Sequence, residues 1–174
     1  YFCYTQTSPL DSGSLFKLAG RISGDGGHTA LFYPAAKPMQ APAGYDLYTE
    51  VRKHDVLLAY PYQSIRPFIK MMLRAGADPD VMSIKMTLYR MTSDSQIVNA
   101  LIAAAENGKE VVAMVELRAR FDEQNNIDWS KQLEDAGCTV FYGFDDYKVH
   151  SNLTLITSRV NGQYKYLTQI GTGN

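Results

Sequence analysis

The chain has 174 residues, which suits one domain of ordinary size or one domain with a piece of another. Hydrophobic residues make up 45% of it and charged residues 20%, a composition typical of a globular protein with a real core. The net charge of −1 excludes a general basic field for nucleic acid or an anionic membrane, so a polyanion would need a local cluster of arginines.

The first 45 residues differ in composition from the rest of the chain. They contain GDGG (24–27) and four of the seven prolines, and they show little sustained periodicity. We predict a short helix near Leu15–Leu18 and then a loop-rich connector. We therefore expect residues 1–45 to finish a preceding region, and residues 46–174 to form the main domain.

From Asp55 onward, strand-like and helix-like segments alternate. Apolar runs predict four strands, the first of them covered on both faces: DVLLAY (55–60), VMSIKMTLYR (81–90), VVAMVEL (111–117) and CTVFYG (138–143). In the second run, we expect Met82, Ile84, Met86 and Leu88 to share one face. Two further strands, near 152–158 and 164–170, are joined at Asn161-Gly162, which is a hairpin signal.

Helices are predicted between these strands. One runs from Ser64 to Ala75 with Pro67 in its first turn. The next begins at the capping residues Ser93 and Asp94 and closes at Asn107-Gly108. The third spans Ile127–Ala136, with Ile127, Trp129 and Leu133 as packing residues. This order of elements predicts an α/β fold with a mostly parallel sheet, flanking helices and a terminal hairpin.

Cysteine usage and the lack of long apolar runs indicate a compartment. Cys3 and Cys138 lie far apart without metal-ligand spacing, which favours a reducing, cytoplasmic environment over a disulfide framework. No apolar run reaches the roughly 18 residues of a membrane span. The chain opens without Met and stops at GTGN, so we expect it to be a fragment of a longer protein.

Three features whose side chains could take part in a reaction fall at predicted strand ends: Arg90, RARFDE (118–123) and YKVHSN (147–152). In α/β sheets the ligand crevice lies beyond such ends. Arginines beside His150 would suit a transferring phosphoryl group, because guanidinium binds phosphate oxygens in a fork and neutral imidazole can attack phosphorus. From the residues alone, a structural histidine and solvated arginines remain the commoner alternative.

Longer motifs carry a family resemblance. They are HDVLLAYPYQSI (54–65), IKMTLYR (84–90), VELRARFDEQNNIDWSKQLEDAG (115–137), YKVHSNLTLI (147–156) and IGTGN (170–174). In order and spacing, from about residue 51 to residue 174, they resemble the polyphosphate kinase family, which reversibly makes inorganic polyphosphate from ATP. Residues 1–45 are similar, more weakly, to the end of that family's helical head domain.

The resemblance implies a phospholipase D-like catalytic half, truncated at its C-terminal end. It implies that His150 is the histidine that ATP phosphorylates and that passes the phosphate to polyphosphate. It further implies that Arg90 and Arg120 line the phosphate and Mg²⁺ site, with the metal held mainly by phosphates because guanidinium has no lone pair. Asn174, in a glycine-rich turn, would hydrogen-bond in that site. ATP and Mg²⁺ are thus the implied cofactors, polyphosphate the partner, and nucleic acid no partner.

One position departs from the family pattern. The family typically carries a lysine two residues after the histidine, and this chain has Asn152 there. Asparagine donates a hydrogen bond without a charge, and a charge-assisted bond is worth roughly 1.5–3 kcal/mol. Fully expressed in the transition state, the difference corresponds to about 10- to 150-fold in rate.

The resemblance also implies a homo-oligomer for the full-length protein and leaves peripheral membrane association open. The family's remaining domains are expected outside this chain, so the isolated chain is expected to be inactive. Two alternatives stay open. One is a phospholipase D-type phosphodiesterase, which depends on the lysine that is absent here. The other is a non-catalytic α/β domain that binds polyphosphate.

Overall fold

The structure, a computed structural model, describes residues 11, 13–24, 29–34, 36–89, 91, 94–116, 123–144, 146–147 and 151–171. The chain divides into two compact units, Tyr1–Lys37 and Pro38–Asn174. The first unit contains helix α1 (Ser14–Gly24) and a 3-10 turn at Thr29–Leu31, so the predicted helix is confirmed. None of the residues of α1 is buried.

The second unit is built on a five-stranded sheet in the order β3-β2-β1-β4-β5. Its strands are β1 (Val81–Leu88), β2 (Glu110–Val115), β3 (Thr139–Phe141), β4 (Asn152–Val160) and β5 (Gln163–Gly171). The first three strands run parallel to one another. β4 pairs antiparallel with β1, and β5 pairs antiparallel with β4. The hairpin turn has φ of 51° at Asn161 and 80° at Gly162, as two-residue turns of the predicted kind require.

Within the described residues of this unit, four helices accompany the sheet: α2 (Leu47–Glu50), α3 (Arg66–Ala77), α4 (Gln96–Glu106) and α5 (Glu123–Asp135). Helices α3, α4 and α5 contribute their apolar faces to one core, with Met72, Leu101 and Leu133 fully buried. Alternate residues of the strands, such as Ile84 and Ile156, complete that core. The predicted α/β fold class, with flanking helices and a terminal hairpin, is confirmed.

The predicted strand at 55–60 is wrong. The segment belongs to none of the strands in the described part of the chain, and Leu57 is 89% exposed, whereas Val56 and Leu58 pack against the core. Beyond it the chain turns back, because the backbone N–H of Gln63 donates to the carbonyl of Ala59 at 2.8 Å. The Gln63 side chain in turn accepts from the N–H of Ala59 at 2.7 Å. This local turn uses the groups that a sheet ladder would need.

Three smaller predictions also need correction. The pairing of β1 with β4 is irregular between Val81 and Ser83, so the alternation shifts and Met82 is 44% exposed. Helix α5 begins at Glu123, and its buried stripe is Asn126, Trp129, Ser130 and Leu133, which leaves Ile127 38% exposed. The N-cap of α4 is Ser95 rather than Ser93 or Asp94; its hydroxyl accepts from the N–H of Val98 at 3.4 Å.

The remaining helix signals agree with the structure. Pro67 lies in the first turn of α3. Gly108, just beyond α4, has φ of 79°, the left-handed conformation that favours glycine at helix ends. Among the described residues, no helix combines the length and apolar character that a membrane crossing demands.

Candidate functional site

The ends of four strands meet at one edge of the sheet. β1 and β2 are parallel, with Leu88 opposite Val115, so both finish there. β4 runs antiparallel to β1 and therefore starts at the same edge. β5 finishes beside that start, because Asn152 pairs with Gly171. This edge includes the carboxyl ends of the parallel strands, where ligands bind in open α/β sheets.

All four predicted site residues lie outside the described residues: Arg90, Arg120, His150 and Asn174. Along the chain, Arg90 is two residues after Leu88, and Arg120 is five residues after Val115. His150 precedes Asn152 by two residues, and Asn174 follows Gly171 by three. The structure therefore brings together the strand ends to which these residues are attached, and describes none of the four side chains.

A buried amide joins two of these strand ends. The Nδ2 group of Asn126 in α5 donates to the carbonyl oxygen of Tyr89 at 3.0 Å and to that of Glu116 at 2.7 Å. Its Oδ1 accepts from the N–H of Met91 at 3.2 Å. Tyr89 and Met91 flank Arg90, and Glu116 precedes the RARFDE segment. One side chain thus contacts the backbone of both arginine-bearing connections.

A hydroxyl group joins the end of β1 to the start of β4. The regular pairing of β1 with β4 reaches Met86 opposite Thr154. One residue further on, the Thr87 hydroxyl donates to the carbonyl of Ser151 at 2.5 Å and accepts from the N–H of Leu153 at 2.8 Å. Ser151 directly follows His150 in the sequence. Thr87 therefore fixes the start of β4 against the end of β1.

The strand pair β4–β5 makes a close contact at the same edge. A Cβ placed on Gly171 would lie 3.1 Å from the Cβ of Asn152 and 3.2 Å from Nε2 of Gln169. Few side chains would fit so near, so glycine at this position lets the two strands remain paired up to residue 171. Asn152, the residue that departs from the family pattern, faces this glycine.

A carboxylate is also buried at this edge. Glu116 follows β2, is 6% exposed, and its N–H donates to the carbonyl of Leu88 at 3.0 Å. Acidic side chains are rarely buried without a partner. Motif comparison drew attention to the arginines and the histidine and missed Glu116, Asn126 and Thr87. Only Asn126 had a sequence signal, the i, i+3, i+4, i+7 stripe it shares with Trp129, Ser130 and Leu133.

The perturbed pKa values of the described residues point to structural contacts. Burial and a hydrogen bond to Asp78 raise the pKa of Tyr48 to about 12. Beyond β3, a hydrogen bond to Glu134, aided by burial, raises the pKa of Tyr142. No group of three or more His, Cys, Asp or Glu side chains that could hold a metal ion occurs within the described ranges.

A groove of about 340 Å³ lies apart from these contacts, beside the start of α3. It is lined by residues 40–45 together with Arg66, Pro67 and Lys70. The cationic side chains of Arg66 and Lys70 are both exposed.

Comparison with known proteins gives a consistent result. Residues 46–174 match the family model described as polyphosphate kinase C-terminal domain 1. This chain is 42% identical to the polyphosphate kinase of Bacillus anthracis and 43% identical to that of Bacillus cereus, in each case over 98% of its length. The chain spans 24% of the length of these relatives.

The fold leads to the same family. The crystal structure of polyphosphate kinase from Porphyromonas gingivalis matches 76% of this chain and 22% of its own, with a TM-score of 0.60 and 34% sequence identity. The chain therefore belongs to the polyphosphate kinase family, and its residues 46–174 correspond to the first C-terminal domain of that family.

Proposed function

We propose that this chain is the part of a polyphosphate kinase that carries the phosphorylated histidine, His150. The complete enzyme transfers the γ-phosphate of ATP to inorganic polyphosphate, reversibly. The observation that carries this proposal is the meeting of four strand ends at one sheet edge, because Arg90, Arg120, His150 and Asn174 are all within five residues of those ends. Family membership supplies the substrates.

The chemistry has two balanced steps. In the first, a nitrogen lone pair of the neutral His150 imidazole attacks the γ-phosphorus; the bond to the bridging oxygen breaks, and its electron pair leaves with ADP. In the second, a terminal oxygen of polyphosphate attacks the same phosphorus, and the P–N electron pair returns to the imidazole. Arg90 and Arg120 neutralise charge on the phosphoryl oxygens, and Asn174 donates a hydrogen bond.

In this proposal, Mg²⁺ binds together with the phosphate groups of the substrates. Guanidinium groups have no lone pair to offer a cation, and the described residues contain no cluster of metal-ligating side chains. The donor set therefore fits a metal held by phosphate oxygens, with Arg90 and Arg120 lining the same site. When bound, Mg²⁺ offsets the negative charge of the polyphosphate tail.

Asn152 makes the proposed site less cationic than the family pattern. With asparagine where lysine is usual, the oxygens of the transferred phosphoryl group rely on the two arginines for positive charge. The loss corresponds to about 10- to 150-fold in rate if the lysine contact is made only in the transition state.

The wider setting belongs to the same proposal. Residues 46–174 form the catalytic domain, and residues 1–45 end a preceding domain. The full-length enzyme is a cytoplasmic homo-oligomer that associates peripherally with the membrane. A polyphosphate-binding domain without turnover is the main competing function, and Asn152 is the observation that favours it. A phospholipase D-type phosphodiesterase is a weaker alternative, because that chemistry depends strongly on the absent lysine.

The decisive experiment uses a complete enzyme that contains this chain. It is incubated with γ-labelled ATP and Mg²⁺, and acid-labile, alkali-stable label is followed on the protein and on the polymer. We expect label on both, and loss of both in His150→Ala, because no other residue is proposed to accept the phosphate. The isolated chain of 174 residues, about a quarter of the relatives' length, is expected to form no polymer.

The controls separate the competing functions. His54→Ala removes a histidine of the same domain that lies far along the chain from the strand edge, and should keep full labelling. A protein that binds polyphosphate but takes no label would favour the binding domain and contradict the kinase. Release of alcohol from a phosphodiester substrate, blocked in His150→Ala, would favour the phosphodiesterase.

A further inference from the structure

The Asn126 side chain makes three hydrogen bonds at the strand edge, with both of its N–H donors and with its amide oxygen. Both acceptors of its Nδ2 group and the donor to its Oδ1 are backbone groups of the two arginine-bearing connections. The residue is 0% exposed, so water cannot replace these partners. A buried polar group that loses its hydrogen-bond partners destabilises the fold, which makes this arrangement strongly preferred over any other.

The three contacts lie just beyond the last paired residues of β1 and β2. Regular pairing of β1 with β2 ends at Leu88 and Val115, and one further backbone bond joins Glu116 to Leu88. In the sequence, Arg90 follows Leu88 by two residues and Arg120 follows Val115 by five. Asn126 bridges the two connections, since it contacts residues 89 and 91 on the first and residue 116 on the second.

Asn126 is itself held firmly by α5. The Ser130 hydroxyl, 1% exposed, donates to the Asn126 carbonyl at 2.7 Å. Trp129 and Leu133, on the same stripe, belong to the core. The amide is therefore attached to a packed helix, and its position is set by the core of the domain rather than by solvent.

We propose that Asn126 is a positioning residue for the phosphate site: it sets the distance between the Arg90 and Arg120 connections. This inference rests on the proposed function. Its chemistry explains the residue type, because only an amide of this length donates to two carbonyls and accepts from an N–H at the same time. Aspartate has the same shape but no N–H donor, and leucine has a similar volume without polar atoms.

The test compares Asn126→Asp and Asn126→Ser with the parent in the complete enzyme. The Asn126→Asp substitution places an acceptor against two carbonyl oxygens. The Asn126→Ser substitution keeps one donor and leaves room for a water molecule, so this variant is expected to fold. The stability-matched control is Leu133→Ala, on the same helix stripe, which loses core packing but none of the three contacts.

We expect the rate of His150 labelling at saturating ATP to fall by on the order of 100-fold in Asn126→Asp and by about 10-fold in Asn126→Ser. The affinity for inorganic tripolyphosphate, measured by calorimetry, should fall in both variants. Leu133→Ala, assayed below its Tm, should keep the parent's rate and tripolyphosphate affinity.

Two outcomes would overturn the inference. One is a folded Asn126→Ser enzyme with the parent's labelling rate and tripolyphosphate affinity. The other is a Leu133→Ala enzyme that loses the same rate and affinity at equal stability, because the effect would then follow stability alone. If no variant, including the parent, is labelled at His150, the proposed function fails. The tripolyphosphate measurement still tests Asn126 in that case.

Discussion

At the scale of the residue, one hydroxyl group extends a strand pair by a residue. The Thr87 side chain donates to the carbonyl of Ser151 and accepts from the N–H of Leu153, where backbone pairing of β1 with β4 has stopped. Threonine suits this place because its branched side chain fits a strand and its hydroxyl is both donor and acceptor. The contact orients the chain that immediately follows His150.

We predict that Thr87→Val lowers turnover more than it lowers stability. Valine has nearly the same shape, so packing is kept and both hydrogen bonds are lost. Water can reach these groups, which limits the destabilisation to about 0.5–1.5 kcal/mol. A shifted strand start would misplace His150 and lower kcat about tenfold or more, since small misplacements are costly in catalysis. Denaturant unfolding and steady-state kinetics of the complete enzyme provide both values.

The matched control is Thr87→Ser, which keeps the hydroxyl and removes only a methyl group. It should stay within about threefold of the parent's kcat. A Thr87→Val enzyme with unchanged kcat would show that the start of β4 is held by other contacts.

Residue-scale features of the site were only partly visible in the sequence. The motif residues around Arg90, RARFDE and His150 identify the family, because their types and spacing are specific. Asn126 and Thr87 were not predicted, since their partners are backbone groups up to 66 positions away and no local pattern encodes such a contact. Whether the four motif side chains converge is still a prediction.

At the scale of the element, the packing of α3 on α4 depends on a glycine, Gly76, at their contact. A Cβ on Gly76 would lie 3.0 Å from the Cβ and 3.2 Å from the Cα of Ala104. Ala104 is fully buried in α4, which packs against β2, so its backbone has little room to move. The two helices approach each other this closely because position 76 is glycine.

We predict that Gly76→Ala destabilises the domain by about 1 kcal/mol. Overpacking of a core costs about 1–3 kcal/mol. The helix propensity of alanine returns at most about 1 kcal/mol, and less near the end of α3. Thermal and denaturant unfolding of residues 38–174 would measure the change.

A double-mutant cycle tests the cause. Ala104→Gly removes the methyl group that the new side chain meets, so Gly76→Ala should be less harmful in that background. Gly20→Ala is the comparison in an exposed helix, because a Cβ there has no neighbouring atom within 4 Å. Additive effects of Gly76→Ala and Ala104→Gly would contradict a steric origin.

Helix and strand boundaries were predicted well where a local residue type favours one backbone conformation. Backbone geometry favours Asn161, Gly162 and Gly108 because all three have positive φ. Pro67 is compatible with the first turn of α3, and all of these signals agree with the structure. The run at 55–60 was wrong because an apolar pattern shows that residues are buried on some side, not that a neighbouring strand is available. Its turn at Ala59 and Gln63 is set by a side chain that periodicity ignores.

At the scale of the whole molecule, the order of strands decides where chemistry can occur. Parallel β1 and β2 finish at the edge where antiparallel β4 begins and β5 ends. Sequence periodicity predicted the α/β class and the hairpin. It did not predict that the hairpin would pair next to β1, because strand order depends on contacts between distant parts of the chain. That pairing brings the start of β4, which follows His150 in the sequence, to the end of β1, which precedes Arg90.

The extent of the domain is open to a direct test. The compact unit starts at Pro38, whereas the family match starts at residue 46. Within that unit, Met39 accepts from the N–H of Ser64 at 2.9 Å, and its own N–H donates to Tyr62 at 2.8 Å. Tyr45 packs against the core. Residues 38–45 therefore contribute to the fold even though they precede the family match.

We predict that removing residues 1–37 leaves the Tm of the second unit unchanged, because none of the residues of α1 is buried. Removing residues 1–45 should lower the unfolding free energy by about 1–3 kcal/mol, the contribution of two backbone hydrogen bonds. Calorimetry of the two truncated proteins beside the full chain measures both effects. Equal Tm values for the two truncations would place the boundary near Tyr45. A lower Tm after loss of residues 1–37 would mean that the first unit stabilises the second.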